Sequence, residues 1–329
     1  MKAPFPLGEF SGTAYDCARQ FALWSVAHFP DYQDYGRMLV EESRNAPKEY
    51  LDICRREAPF LLEFFRAFNE VFGSSKGNSE ARQEGCSSFA CRKAKTRFAG
   101  QNKDTLADRL PYMLMLHLCL TDGPQILTLA YPGELLGYGM WSNGASIFRN
   151  ALYAEGLQTG LHFHLFGLLA MALNDVGKIA ELAKRFPIRG AGNLLISCCD
   201  ADVDVEFSAG GTAVLSPNDG LLAHTNHPLV ATTIPFALPA KERQRQGSVQ
   251  RLEQLQEGLR NLTENPDAEA FRKMLSHHNP NGESLCRHTD DEKTVPITTA
   301  SLLADSAAGI LYATKRQPCL QPFFPYSLS

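Results

Sequence analysis

The N-terminal part of the chain carries apolar residues at helical spacing. Between Thr13 and Phe72 they recur every three or four residues, with charges between them, as in YLDICRREAPFLLEFFRAFNEVF. This spacing predicts successive helices that each bury one face. The following stretch, GSSKGNSEARQ from Gly73 to Gln83, is small and polar. It predicts an exposed, flexible and cleavable loop.

The rest of the chain is dominated by strand patterns around a central helical block. Helices are predicted over Leu161–Phe186, with Asn174 and Gly177 as candidate breaks, and over Glu253–Leu275. Runs of strands on both sides of a helical block favour a layered α+β fold over a regular βαβ alternation. The predicted strands, separated by turns rich in Gly, Asn and Asp, lie in SSFACRKAKTRFAGQNKD, PQILTLAYPG, LLGYGMWSNGASIFRNALY, NLLISCCDADVDVEFS, GTAVLSPNDGLLAHTNHPLV and TVPITTASLLADSAAGILYATK.

Composition and charge narrow the class of partner. The 329 residues are 44% hydrophobic and 21% charged, with a formal net charge of −4. This composition is typical of a soluble protein with a sizeable core. Since no basic surface is indicated, we expect no nucleic-acid or membrane partner and favour a small-molecule substrate.

The expected compartment is the cytoplasm. The N-terminus lacks the continuous apolar region of a secretory signal. The most apolar stretch, Leu161–Leu173, is shorter than the roughly 20 residues of a membrane span. Nine cysteines form an odd number without framework spacing, which fits a reducing environment.

One cysteine stands out by its position. Cys86 lies where the polar loop meets the first predicted strand, and it is preceded by Gly85 and followed by Ser87 and Ser88. Glycine leaves the preceding carbonyl open to attack. Asp104 ends the next predicted strand, so a hairpin would return it beside Cys86. For an isolated cysteine, packing in the core would be the commoner explanation.

The stretch EGCSSFACRKAKTRFAGQNKD resembles the entry motif of the acyl-coenzyme A:6-aminopenicillanic acid acyltransferase family of N-terminal-nucleophile hydrolases. That family includes isopenicillin N acyltransferase. Three further matches follow in the family's order: GMWSNG at 139–144 with Asn150-Ala151-Leu152, HTNH at 224–227, and SLCRH at 284–288. The resemblance covers about residues 84 to 319.

The resemblance implies a four-layer αββα sandwich with a helical N-terminal segment. It also implies a zymogen that cleaves itself between Gly85 and Cys86, giving a small chain, 1–85, and a large catalytic chain, 86–329, which stay partners. The Cys86 thiol would attack a small-molecule or peptide-like amide, or an acyl thioester, through an acyl-enzyme, as in secondary metabolism. Its new α-amine would serve as the base. No cofactor and no metal are expected.

The resemblance also suggests roles for the other residues of the motifs. Asp104 would orient the α-amine, and Asn226 would donate a hydrogen bond to the oxyanion. Arg287 would fix Asp104 or a substrate carboxylate. Trp141, with Met140, would contribute to the acyl pocket or to a second oxyanion donor. Burial of Trp141 in the core, a turn cap at Asn226 and a surface ion pair at Arg287 are the alternatives.

Other classes of function stay open at this point. A zinc site would draw on His162, His164, His224 and His227, but no ligand spacing supports it. A papain-like enzyme would pair Cys86 with a distant histidine. A fold relative without turnover, acting as a binding or assembly protein in a biosynthetic pathway, is kept open by Gln101 and Trp141, which depart from the family pattern.

Overall fold

Two β-sheets lie against each other between two layers of helices in the computed structural model, which describes residues 3–73, 85–94 and 96–328. The predicted α+β class and the αββα layering are confirmed. The predicted loop at 73–83 lies, apart from Gly73, outside the described residues.

The α-helices of the described residues form three groups: four before Cys86, two in the middle of the chain and two nearer its C-terminal end. They are Ala14–His28 (α1), Asp34–Arg44 (α2), Lys48–Glu57 (α3), Pro59–Phe72 (α4), Phe163–Leu173 (α5), Val176–Arg185 (α6), Glu242–Asn261 (α7) and Ala268–Leu275 (α8).

An eight-stranded sheet has the order β1-β4-β5-β6-β7-β10-β11-β12, and a six-stranded sheet has the order β13-β2-β3-β14-β15-β16. The short β8 and β9 pair with each other. The strands are Leu7–Gly12 (β1), Ser87–Lys93 (β2), Thr96–Thr105 (β3), Leu114–Leu120 (β4), Ile126–Ala130 (β5), Tyr138–Trp141 (β6), Ser146–Ala151 (β7), Leu161–His162 (β8), Ile188–Arg189 (β9), Gly192–Ser197 (β10), Asp202–Ser208 (β11), Gly211–Leu215 (β12), Leu221–His224 (β13), Ile297–Asp305 (β14), Ile310–Lys315 (β15) and Phe324–Ser327 (β16).

Alternation along the strands produces three separate buried clusters. In β4, Leu114 and Leu116 face helices α1–α6, whereas Met115 faces the six-stranded sheet. This follows from the two-residue period of a strand. A third cluster, with Phe89 and Phe271, packs α7 and α8 on the outer face of the six-stranded sheet. The two sheets therefore share one core and each has a helical cover.

The N-terminal segment is built into these layers. Its strand β1, which the apolar pattern does not predict, pairs in parallel with β4 at the edge of the eight-stranded sheet. Thr13 caps α1 and forms a capping box with Asp16. Helices α1–α4 pack on the same sheet. The predicted chain boundary at 85–86 stays a prediction.

One of the two helix breaks predicted in the middle of the chain is correct, and a break nearer its end was missed. Asn174 ends α5 as predicted, in the left-handed conformation, whereas the break predicted at Gly177 is wrong because this residue lies within α6. The single helix predicted over Glu253–Leu275 is wrong, because α7 ends at Asn261 and α8 starts at Ala268. Pro266 cannot continue a helix, and Asp267 caps the next one. Among the described residues, no helix combines the length and apolarity needed to cross a bilayer.

Candidate active site

The hairpin of β2 and β3 brings Cys86 and Asp104 together, as predicted from the sequence. Ser87 pairs with Asn102 in antiparallel register, so the next residues of each strand also meet. The Gly85 N–H donates to the Asp104 carbonyl at 3.1 Å. Cys86 Sγ lies 3.8 Å from the same carbonyl. The thiol is fully buried in the uncleaved chain.

The Asp104 carboxylate is buried and only half satisfied. Thr298 Oγ1 donates to Oδ1 at 2.8 Å, while Oδ2 is buried without a hydrogen-bond partner. A β-bulge between Thr298 and Ala300 disrupts the pairing of β14 with β3 at this point. Burial raises the pKa of Asp104 to about 6, although Arg287 and Arg251 oppose the shift. The open oxygen is a ready acceptor for a new donor.

Arg251, on α7, is the central donor of the site and was not predicted from the sequence. Its Nη1 donates to the carbonyl of Gly85 at 2.5 Å, to that of Cys86 at 2.8 Å and to Ser87 Oγ at 3.0 Å. The side chain is 1% exposed. A guanidinium at this distance polarises the Gly85 carbonyl. Its carbon is the atom that the nucleophile would attack in a cleavage of the Gly85–Cys86 peptide bond.

Asn226 connects Arg251 to the end of β7. Its Oδ1 accepts from Arg251 Nη2 at 3.0 Å, and its Nδ2 donates to the Ala151 carbonyl at 2.8 Å. The backbone N–H of Asn226 donates to Ser248 Oγ at 2.7 Å. An amide group carries two N–H hydrogens. The contact with Ala151 uses one of them, so Asn226 is anchored and retains one donor.

Arg287 lies against Gly85 itself. A Cβ at position 85 would overlap Nη1 of Arg287, so any larger residue there would require the guanidinium to move. The guanidinium pairs with Glu283 at 3.4 Å. The predicted bidentate contact with Asp104 is not formed, although the nearby positive charge lowers the pKa of that carboxyl against the effect of burial.

Trp141 and Met140 do not reach this site. Consecutive residues of β6 point to opposite faces of the eight-stranded sheet. Trp141 points towards the helices, where its ring meets Phe60 edge-on at 5.9 Å. Met140 points into the core between the sheets. The core alternative, which the sequence left open for Trp141, describes its position in the structure.

A cavity of about 600 Å³ opens beside Arg251 and Arg287. Its wall combines apolar surface with four cationic side chains and the carboxylate of Glu283. Cys86 is not part of this wall, whereas Arg251 and Arg287, which both contact Gly85, are. The lining residues include Leu152, Tyr153, Leu238, Lys241, Arg243, Arg251, Glu283, Arg287, Val295 and Pro296.

The histidines considered for zinc are held in separate hydrogen-bond networks. His224 bonds to Glu206 at 2.6 Å and to the Thr225 carbonyl at 2.7 Å. Its neighbour His227 contacts Ser248 at 2.9 Å. His164 pairs with the buried Glu134 at 3.3 Å. His162 Nδ1 accepts from the His164 N–H at 3.2 Å, so each of the four imidazoles has a structural partner.

Two of the solved structures to which this chain is similar are a hydrolase and an acylase. A conjugated bile acid hydrolase from Clostridium perfringens matches with a TM-score of 0.37 and 12% identity, over 75% of this chain and 90% of that one. Penicillin V acylase from Agrobacterium tumefaciens matches with a TM-score of 0.46 and 10% identity, over 74% and 86%. No protein-family model and no curated protein matches the sequence.

Proposed function

We propose that the chain is the precursor of an N-terminal-nucleophile amide hydrolase that cleaves itself between Gly85 and Cys86. One observation carries the proposal. The carbonyl before Cys86 accepts a hydrogen bond from the buried Arg251, and the thiol lies 3.8 Å from the backbone carbonyl of Asp104. The Asp104 side chain is close to Gly85. Nucleophile, activated carbonyl and carboxylate are thus gathered around one peptide bond.

The first step is an N-to-S acyl shift. The Cys86 sulfur adds to the Gly85 carbonyl carbon, and its proton passes to Oδ2 of Asp104, the open acceptor. Arg251 Nη1 stabilises the oxyanion that forms on the carbonyl oxygen. The carbon–nitrogen bond then breaks, and the proton moves to the departing amine of Cys86. Water hydrolyses the resulting thioester to the Gly85 carboxylate and the free thiol.

Cleavage changes the site in two ways that fit catalysis. The new α-amine of Cys86 would lie close to Asp104. The Oδ2 atom of Asp104, which has no hydrogen-bond partner, can accept a hydrogen bond from this amine. An ammonium there offsets the cost of a buried carboxylate. We also expect the departure of Gly85 to open a path from the cavity to Cys86, because Arg251 and Arg287, which contact Gly85 in the precursor, line the cavity.

Substrate turnover then repeats the chemistry on a second amide. The α-amine takes the thiol proton, the sulfur attacks the substrate carbonyl, and the leaving amine receives the proton. The free amide N–H of Asn226, with its carbonyl fixed by Arg251, is the proposed donor to the oxyanion. Water releases the acid; an acceptor amine in its place would give acyl transfer.

The cavity wall indicates the kind of amide. Lys241, Arg243, Arg251 and Arg287 face one carboxylate, Glu283, so the wall carries excess positive charge. Leu238, Val295 and Pro296 offer apolar surface. We therefore infer a small amide with an apolar part and an anionic group.

Trapping the acyl-enzyme tests this function. The cleaved protein is mixed with a panel of acyl amides, each with and without a carboxylate, and is acid-quenched within milliseconds to seconds. We expect the 86–329 chain to gain the mass of the acyl group on Cys86, with faster acylation by the carboxylate forms. A cleaved chain that hydrolyses amides while Cys86 is never acylated would contradict the mechanism.

The rate of self-cleavage should depend on the ionisation of Asp104. Because the pKa of this carboxyl is raised to about 6, the base form accumulates only as pH rises through that value. We expect the rate to rise about tenfold per pH unit below 6 and to level off above it. Refolding the precursor at pH 4.5–8 and following the fragments by gel measures the profile. In Asp104→Asn the rise of the rate with pH around 6 should be absent. An unchanged pH profile in that variant would exclude Asp104 as the base.

A further inference from the structure

Four potential metal ligands converge on the outer side of the six-stranded sheet, next to the candidate site. They are His278, Cys286, His288 and Cys319, and their ligand atoms all lie within 4.8 Å of one another. The four come from two separate parts of the chain. None of them belongs to the nucleophile machinery described above.

Four of the six distances between these atoms are close to the edge lengths of a ligand tetrahedron. His288 Nε2 lies 3.2 Å from His278 Nε2, 3.4 Å from Cys286 Sγ and 3.2 Å from Cys319 Sγ, and the two sulfurs are 3.5 Å apart. Zinc–sulfur bonds of about 2.3 Å and zinc–nitrogen bonds of about 2.0–2.1 Å put tetrahedral ligands roughly 3.3–3.8 Å apart.

Hydrogen bonding alone does not account for this cluster. His288 Nε2 lies within 3.4 Å of three partners. A ring nitrogen carries either one hydrogen or one lone pair, so it satisfies one such contact well and the others poorly. A cation at the centre would instead accept one lone pair from each of the four atoms. The convergence is therefore better explained by a metal than by hydrogen bonds.

The backbone around the ligands is held in place by the fold. The Cys286 N–H donates to the His277 carbonyl at 3.1 Å, which ties the two ligand-bearing ends of this loop together. Arg272 donates to the Pro318 carbonyl at 2.6 Å, beside Cys319. Cys286 itself is fully buried. Such preorganisation is what a structural metal site requires.

We propose that His278, Cys286, His288 and Cys319 bind one Zn²⁺ ion in a closed, structural Cys₂His₂ site. Thiolate and imidazole ligands in tetrahedral arrangement favour zinc over calcium or magnesium. With all four positions taken by the protein, no place is left for substrate or water. The two thiolates balance the charge of the ion.

The ion would act on the active site through Arg287. Cys286 and His288 are its two chain neighbours, so a metal bound to both fixes the turn that holds Arg287 against Gly85. Thr298 Oγ1 accepts from the Arg287 N–H at 2.9 Å and also donates to Asp104. The zinc site thus stabilises one wall of the cavity without taking part in the chemistry.

Metal analysis of the purified full-length protein tests the proposal. We expect about one zinc per chain, in the wild type and equally in Cys86→Ala, so the result is independent of cleavage. His278→Gln and Cys319→Ser, which both avoid the fully buried Cys286, should retain less than about one-tenth as much zinc. His277→Gln and Cys199→Ser are the matched controls, since these residues lie outside the cluster, and they should keep the full amount.

Replacement by Co²⁺ gives a second measurement, which is made on the wild type and so does not depend on variant folding. The wild type should show the intense visible bands of tetrahedral cobalt and a near-ultraviolet band from thiolate-to-cobalt charge transfer. A protein that stays metal-free after incubation with excess zinc, with Cys286 and Cys319 both alkylated as free thiols or joined as a disulfide, would overturn the proposal. Equal zinc in Cys319→Ser and Cys199→Ser would overturn the ligand set.

Discussion

Replacing Cys86 with alanine is expected to leave the chain uncut and to lower the rate of amide hydrolysis by roughly 10⁴-fold or more. A loss of this size is typical when a catalytic nucleophile is removed. The reason is that the proposed mechanism assigns both reactions to this one sulfur. Cys91→Ala is the matched control. Cys91 is also fully buried in β2, but burial raises the pKa of its thiol to about 11, which makes it unreactive.

The comparison is made on intact mass, amide hydrolysis and thermal unfolding of both variants. Cys86→Ala should unfold as cooperatively as the wild type, since the substitution removes only the sulfur atom from a buried side chain. Cys91→Ala should be cleaved and active. Hydrolysis that persists in Cys86→Ala would assign the nucleophile to another residue.

Replacing Arg251 with methionine is expected to slow self-cleavage by about 10²–10³-fold, the cost of losing a preorganised oxyanion donor. Methionine fills a similar volume but donates no hydrogen bond to the carbonyls of Gly85 and Cys86. The substitution also removes the hydrogen bond from Arg251 to Asn226 Oδ1, so the orientation of the Asn226 amide is less well fixed. Cleavage kinetics of freshly refolded precursor measure the effect.

Arg243→Met provides the control on the same helix. Arg243 lines the cavity but is exposed and makes none of these contacts. It should leave the cleavage rate unchanged and alter only the affinity for anionic substrates. Arg251→Lys keeps the charge without the planar fork and should recover part of the rate. Cleavage at the wild-type rate in a folded Arg251→Met chain would show that the Gly85 carbonyl needs no such donor.

The sequence predicted the parts of the site that depend on local order along the chain. The distance between Cys86 and Asp104 follows from two strands and one turn, and the structure has that hairpin. The layered α+β class followed from the grouping of strands and helices. Such features need no knowledge of which distant segments meet.

The missing parts depend on tertiary contacts. Arg251 reaches Gly85 only because α7 packs on β2, although its spacing with Ser248 and Leu255 along a helix was a usable signal of burial. The cluster at Cys286 was missed because its fourth ligand, Cys319, is far along the chain and no familiar metal spacing connects them. The position of Trp141 in a sequence motif predicted that it lies at the site. Side chains alternate between the two faces of β6, however, and Trp141 is on the face that packs against the helices.

The most direct test of self-cleavage is N-terminal sequencing combined with intact-mass analysis of the wild-type protein under denaturing conditions. Cleavage as proposed gives two chains, residues 1–85 and 86–329, with the second beginning Cys-Ser-Ser-Phe-Ala. An aldehyde or nitrile reagent specific for N-terminal cysteine should label the second chain alone. A single uncut chain of 329 residues, in a preparation that hydrolyses amides, would contradict the account.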